Sequence, residues 1–265
     1  MRLPFEKYHG TGNDFILIDN RTLCWAPHHK EVSFLCDRHL GIGADGLILL
    51  SASLGYDFAM TYYNSDGRES TMCGNGGRCL VVFAKKQGLI TDQARFLASD
   101  GYHVAEILEI NGNKTHVRLK MNNAVIGMEF EDGTFINTGS PHFVKIVEDI
   151  YTLDVRQMGR MIRNENRFVP GGTNVDFVEV KGNGLFVRSY ERGVEDETLS
   201  CGTGITASAL AVAYHSGENP GYYRIKTMGG NLQVSFQRKG NAFSDIWLEG
   251  PAEFVFSGEI ILERS

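Results

Sequence analysis

The sequence predicts an α+β fold built on curved antiparallel sheets and arranged as two related halves, and three observations carry that reading. Short β-branched and aromatic runs recur along the whole chain, helical signals are few, and two glycine-rich cysteine segments repeat each other far apart in sequence. With 265 residues the chain is long enough for one large domain or two ordinary ones, each with its own core.

The strands come first. Runs rich in Val, Ile, Phe and Tyr predict them at residues 15–18, 47–50, 58–63, 104–110 and 116–119, then at 143–147, 175–180, 185–189, 222–226, 232–236 and 246–248. Asn111-Gly112-Asn113, Gly182-Asn183-Gly184 and the segment from Met228 to Asn231 are hairpin turns between neighbouring strands. Helices are expected at 31–39 and at 155–163, the second with Asp154 as N-cap and Val155, Met158 and Ile162 on one face. Two more should begin just after Cys73 and Cys201.

Those two cysteines align the halves. Glu69-Ser-Thr-Met-Cys-Gly-Asn-Gly-Gly77 faces Glu197-Thr-Leu-Ser-Cys-Gly-Thr-Gly-Ile205. An apolar helical stretch follows each, at 80–84 and 207–213, and each ends near a glycine, Gly88 or Gly217, which suits the turn out of a helix. Upstream, Asn13-Asp14-Phe15 echoes Asn174-Val-Asp-Phe177, both at expected strand starts. The organisation expected is a half at 1–120 carrying Cys73 and a half at 121–253 carrying Cys201, with a last strand at 254–265 returning to the first half.

Composition narrows the function. A formal net charge of -6 gives no basic excess for a nucleic-acid partner. No run approaches the roughly 18 apolar residues that would span a membrane, and the first residues lack the apolar core of a secretory signal. The five cysteines, Cys24, Cys36, Cys73, Cys79 and Cys201, are odd in number and irregularly spaced, which points to a reducing, cytoplasmic setting and no disulfide framework. No CxxC pair is present, so no metal site is expected. Gly41-Ile-Gly-Ala-Asp-Gly46 matches a dinucleotide fingerprint in letters only, because a helix is expected before it and a strand after it.

The cysteine segments carry the chemistry. Glycines let a backbone approach a ligand closely, and the free N–H groups of a first helical turn favour a negative group there. A thiol at such a position is expected to have its pKa lowered from about 8.5 toward neutrality. One such thiol would suit a nucleophilic enzyme. Two in related halves suit inversion of a carbon centre, which needs a base on one face and an acid on the other. Without an electron-sink cofactor, the substrate carboxylate must be held by preorganised donors, and helix N-termini supply them.

The segments Lys7 to Phe15, Asp37 to Asp45, Asn64-Ser-Asp-Gly67, Met72-Cys-Gly-Asn-Gly-Gly-Arg-Cys79, Tyr190-Glu-Arg-Gly193 and Cys201-Gly-Thr-Gly204 resemble the diaminopimelate epimerase family, in order and over nearly the whole chain. The resemblance implies two pseudo-symmetric domains of curved antiparallel sheet, each around a central helix, and a homodimer. It also implies cofactor-independent conversion of LL- to meso-diaminopimelate, a small amino-acid substrate. Cys73 and Cys201 would be the two bases, with His142 and Glu191 tuning them. Asn13, Asn64, Asn174, Glu191 and Arg192 would hold the substrate, and Gly74, Asn75, Gly202 and Thr203 would bind its reacting carboxylate. Two positions depart from the family pattern: Gly46 stands where some members have glutamine, and Ser140 where many have asparagine. Phe256 stands where members often have a tyrosine at the dimer contact.

Plainer readings stand beside these. Cys79 packs inside its helix, and Cys24 and Cys36 are structural. Asn13 and Asn174 are also ordinary strand-start residues, and His142 is also a satisfied core histidine. Glu191-Arg192 is also a surface ion pair, and the acidic run 195–197 reads as a solvated face. Other two-cysteine racemases, of the proline racemase or hydroxyproline epimerase type, remain the neighbouring alternative. A one-thiol hydrolase or transferase with His142 as base, and a silent binding protein, are the other classes.

Overall fold

Alternation along the strands and all-round burial of two helices generate the architecture. The computed structural model describes residues 1–217, 219 and 221–262. Its chain divides into two units, Met1–Leu119 with the chain from Gly250 on, and Lys120–Glu249.

In the first unit, β1 (Arg2–Gly10) and β2 (Asn13–Asp19) are antiparallel. After α1 (His29–Cys36), β3 (Gly46–Ser51) runs parallel to β2, and β4 (Phe58–Asn64) turns back on β3. The short β5 (Glu69–Ser70) leads into α2 (Gly74–Lys86), after which β6 (Gln93–Ala98) lies parallel to β4, followed by β7 (Gly101–Asn111) and β8 (Lys114–Lys120). Every residue of α2 from Gly74 to Val81 is buried, and the helix lies against β1, β2, β3, β4 and β7. A helix buried on all sides needs a surround of sheet rather than a single face.

The second unit repeats this order. β9 (Ala124–Phe130) and β10 (Gly133–Asn137) precede β11 (Pro141–Ile146). Then α3 (Val155–Arg163) and a 3-10 turn at Asn166–Phe168 lead to β12 (Asn174–Lys181), parallel to β11. Next come β13 (Gly184–Glu191), β14 (Asp196–Thr198), the central helix α4 (Gly202–Ser216), β15 (Tyr222–Lys226), β16 (Asn231–Lys239) and β17 (Ala242–Ile261).

β17 closes both sheets. Ala242 and Phe243 pair with β9, whereas Gly250 to Glu253 pair with β8 and Glu253 to Ile261 with β1. Each unit is therefore a closed sheet around one helix, with α1 or α3 packed on the outside. Val32 and Leu35 pack with Ile16, Ile18 and Leu47 in the first, and Val155 and Ile162 pack with Phe143, Val175 and Phe177 in the second. The α+β reading holds. Of the final strand expected at 254–265, residues 263–265 lie outside the described residues.

Two expectations are corrected. The first helix is His29–Cys36 rather than 31–39, because Glu31 reaches back to the His28 N–H at 2.7 Å and Asp37 turns extended, accepting from the N–H groups of His39 and Leu40. The echo between Asn13 and Asn174 is also out of register. Phe15 pairs with Gly46, which pairs with Asn64, whereas His142 pairs with Asn174. Val175 pairs with Tyr190, placing Asn174 opposite Glu191. The equivalents are thus Phe15 with His142, Gly46 with Asn174, Asn64 with Glu191, and Asn13 with Ser140. A strand-start asparagine is a local turn signal and does not specify which strand it starts.

Candidate active site

In the first unit Cys73 is the N-cap of α2, with extended backbone (φ -92, ψ 125). The first helical bond runs from the Gly77 N–H to the Cys73 carbonyl at 2.7 Å, so the N–H groups of Gly74, Asn75 and Gly76 have no acceptor within the helix. Asn75 is buried; its Nδ2 donates to Asn13 Oδ1 at 3.3 Å, and the Cys73 Sγ lies 3.6 Å from the same oxygen. Asn13 in turn donates to Asp45 Oδ2 at 2.7 Å. Behind it Arg38 bridges Asp14 at 2.7 Å and Asp45 at 2.8 Å, and the buried Lys7 sits 2.8 Å from Asp14. Burial works to raise the Asp14 pKa, but the hydrogen bonds and charges of Arg38 and Lys7 outweigh it and hold the carboxyl well below the usual range.

Arg78 is fully buried in α2, one turn beyond Cys73. Its guanidinium donates to Asn75 Oδ1 at 2.8 Å and to the carbonyls of Gly74 and Pro251 at 3.3 Å. Among the described residues no carboxylate pairs with it, and burial pushes its pKa down to about 10. Asn64 is exposed at the end of β4. A Cβ at Gly46 would lie 2.5 Å from the Tyr62 ring and 2.6 Å from the Tyr63 carbonyl, so the packing of Tyr62 explains why a glutamine is absent there.

In the second unit Cys201 is the N-cap of α4, again extended (φ -111, ψ 110), and only 7% exposed. Thr203 Oγ1 lies 3.5 Å from its sulfur, the Gly204 N–H favours the thiolate, and the charge of the nearby Glu191 carboxyl opposes it. Glu191 also accepts from the Thr198 hydroxyl. His142 is fully buried, with Nδ1 2.7 Å from Asp176 Oδ2 and Nε2 2.9 Å from Thr203 Oγ1. Asn174 donates to Ser140 Oγ at 3.1 Å and to the Pro141 carbonyl at 3.0 Å, and accepts from the Arg192 N–H at 2.8 Å.

The second unit therefore brings together Cys201, Gly202, Thr203, His142 and Glu191, with Asn174 beside His142. The first brings together Cys73, Gly74, Asn75 and Asn13. The exposed Arg192 guanidinium donates to the Gly171 carbonyl at 3.2 Å and makes no ion pair with Glu191.

Three readings of the sequence are overturned here. The Cys201 thiol is not lowered: burial pushes it well above its ordinary value, Glu191 and Asp176 add to that, and Thr203 and Gly204 only partly oppose it. Helix N-terminal donors do not overcome desolvation beside two carboxyl groups. The acidic run 195–197 is not merely a solvated face. Glu195 binds Arg163 at 2.6 Å and Glu197 grips Arg188 through both oxygens at 2.7 Å, tying α3 and β13 to the loop. Cys24 is exposed, in a turn with φ +47, and fills no core. Cys36 and Cys79 are buried, and burial pushes the Cys36 thiol up to about 12. Asp176, Arg78 and Asp45 were not singled out. The one available signal for Asp176 was an acidic residue inside the apolar run Val175-Asp-Phe-Val178.

A model of the diaminopimelate epimerase family matches residues 5–127 and 134–255. The diaminopimelate epimerase of Flavobacterium psychrophilum is 47% identical over 260 residues, covering 97% of this chain and 100% of the relative. That of Chlorobaculum tepidum is 42% identical over 264 residues, covering 96% and 99%. The crystal structure of a hydroxyproline epimerase from Agrobacterium vitis matches with a TM-score of 0.75 at 14% identity, covering 98% of this chain and 92% of that one, a likeness of fold.

Proposed function

Because the chain belongs to the diaminopimelate epimerase family, we propose that it interconverts LL- and meso-diaminopimelate without a cofactor, with Cys73 and Cys201 exchanging the roles of base and acid. The observation that carries the reading is the equivalence of the two cysteines: each is the N-cap of the buried, glycine-rich helix at the centre of a closed sheet. In the proposed step a thiolate takes the α-proton, breaking the Cα–H bond and forming S–H. The opposite thiol gives its proton to the other face of the carbon, and the thiolate and thiol have exchanged places. The N–H groups of the first helical turns, at Gly74 and Asn75 and at Gly202 and Thr203, are suited to the substrate carboxylate, whose charge grows as the proton leaves. The fork of Arg192 suits the distal carboxylate. Asn13, Asn64, Asn174 and Glu191 complete the proposed substrate shell.

The surroundings support Cys201 as the resting acid and Cys73 as the resting base. Glu191 and Asp176 disfavour an anion at Cys201, whereas near Cys73 lies the buried guanidinium of Arg78, with which no carboxylate pairs among the described residues. The reading includes two functional halves, 1–120 with 254–265 and 121–253, a cytoplasmic setting and a homodimer. Val255 and Phe256, half exposed on β17, offer an apolar contact for the dimer.

The test is incubation of the reduced protein with LL-diaminopimelate in heavy water. Appearance of the meso isomer with α-deuterium is expected, and Cys73→Ala and Cys201→Ala should each abolish it. Normal turnover in either variant would sink the two-base mechanism.

A further inference from the structure

We propose that Asp176 is a positioning residue of this site: it fixes His142 in the Nδ1–H form and so completes a proton relay, through Thr203, to Cys201. The inference rests on the two-thiol reading above and assigns a part to a residue outside it.

Strand register gives the comparison that carries the argument. Phe15 is the equivalent of His142, and Ile48, two residues after Gly46, is the equivalent of Asp176, two residues after Asn174. The helical glycines three residues after each cysteine confirm the match. A Cβ at Gly76 would lie 2.8 Å from Ile48 Cδ1 and 3.4 Å from Phe15 Cε1, and a Cβ at Gly204 would lie 2.2 Å from Asp176 Oδ1. The same cradle under the catalytic helix thus holds an apolar pair in one unit and an aspartate–histidine pair in the other. The fold accepts Phe and Ile there, with both fully buried. An ionisable pair at 0% exposure is a costly substitute for such packing, so its reason lies in chemistry.

The geometry says which chemistry. Asp176 accepts at Oδ1 from the Ser189 hydroxyl at 2.5 Å, which leaves Oδ2 to accept from His142 Nδ1–H at 2.7 Å. In neutral imidazole Nε2 is then the acceptor, and the Thr203 hydroxyl, 2.9 Å away, donates to it. The Thr203 oxygen is left free to accept from the Cys201 S–H at 3.5 Å. A proton can leave Cys201 along this line: the S–H proton passes to the Thr203 oxygen as the Thr203 proton passes to Nε2. The products are a thiolate and an imidazolium facing the Asp176 carboxylate, and the reverse shift restores the thiol. Phe15 and Ile48 offer no such line to Cys73.

The test reads the tautomer and the turnover together. In the 15N-histidine-labelled full-length protein, the His142 signal, assigned through His142→Gln, should show Nδ1 protonated; an Nε2–H form would overturn the proposal. Asp176→Asn should redistribute the tautomer and lower kcat by about 100-fold, with KM changed less than about threefold. Unchanged tautomer and kcat would also overturn it. Should that variant not fold, Thr203→Val, which keeps the buried pair, should lose kcat similarly, and Thr203→Ser should recover it. A Thr203→Val enzyme with normal kcat would break the relay. Cys201→Ala run in parallel separates the two readings: full turnover there refutes the two-thiol mechanism and the relay with it, whereas a dead Cys201→Ala beside a normal Asp176→Asn refutes the relay only.

Discussion

At the scale of single residues, burial outweighs position. Cys201 occupies a helix N-terminus, where a thiol ordinarily ionises easily, yet it is enclosed with Glu191 and Asp176 and its pKa is raised. The thiolate is the nucleophile, so a raised pKa keeps the folded protein's Cys201 unreactive over a pH range in which the unfolded chain's thiol already ionises. Iodoacetamide at pH 8.5 should modify Cys201 at least ~10-fold more slowly in the folded protein than in denaturant. Its rate should keep rising above pH 9, and Glu191→Gln should move the inflection down, as mass spectrometry of the Cys201 peptide would report. A rate already at its plateau by pH 8 would contradict the raised value. The two cysteines were legible in the sequence because glycines flank them in a repeated pattern. Asp176 and Arg78 were not, because a buried charge and a solvated one are the same letter.

At the scale of elements, caps and charge networks hold the segments that carry the site. The Asp154 side chain accepts from the Gln157 N–H at 2.9 Å, and this cap made α3 readable to its last residue. Among the strands that were missed, β1 and β10 have a physical reason: Pro4 and charged residues interrupt β1, buried Lys7 breaks its alternation, and β10 is only five residues long. The Lys7 that hid β1 also secures the start of β2. Asp14 has a folded pKa below the roughly 3.9 of an unfolded aspartate, so it adds stability that is full above that value and is lost as pH falls toward the folded value. Lys7→Met should therefore cost about 3 kcal/mol at pH 7, the size of a broken, largely buried pair. It should also flatten the acid limb, so that urea midpoints at pH 7 and pH 3 differ less than in the parent. Equal pH dependence in the two proteins would mean that Lys7 does not set the Asp14 pKa.

At the scale of the whole molecule, the repeat is a matter of pairing, and pairing lies between distant residues. The cysteine segments revealed two related halves, yet the correct register, Asn13 with Ser140 and Gly46 with Asn174, emerges only from strand partners. That register also relates the two departures from the family pattern: Gly46 and Ser140 each stand opposite, in the repeat, an asparagine that is present. The long reach of β17 was equally hidden, because residues 246–248 and 254–265 read as separate strands. β17 is continuous, and its later half is what closes the first sheet between β8 and β1. Deleting residues 250–265 removes the partner of Arg2 through His9 and of Lys114 through Val117 together. It also removes Pro251, whose carbonyl accepts from the buried Arg78. Two freed sheet edges and an orphaned guanidinium beside Cys73 should leave the first unit without a stable closed sheet. Hydrogen exchange should then find the amides of β1 and β8 unprotected in the truncated chain and protected in the parent. Equal protection in both would show that the first sheet closes without β17.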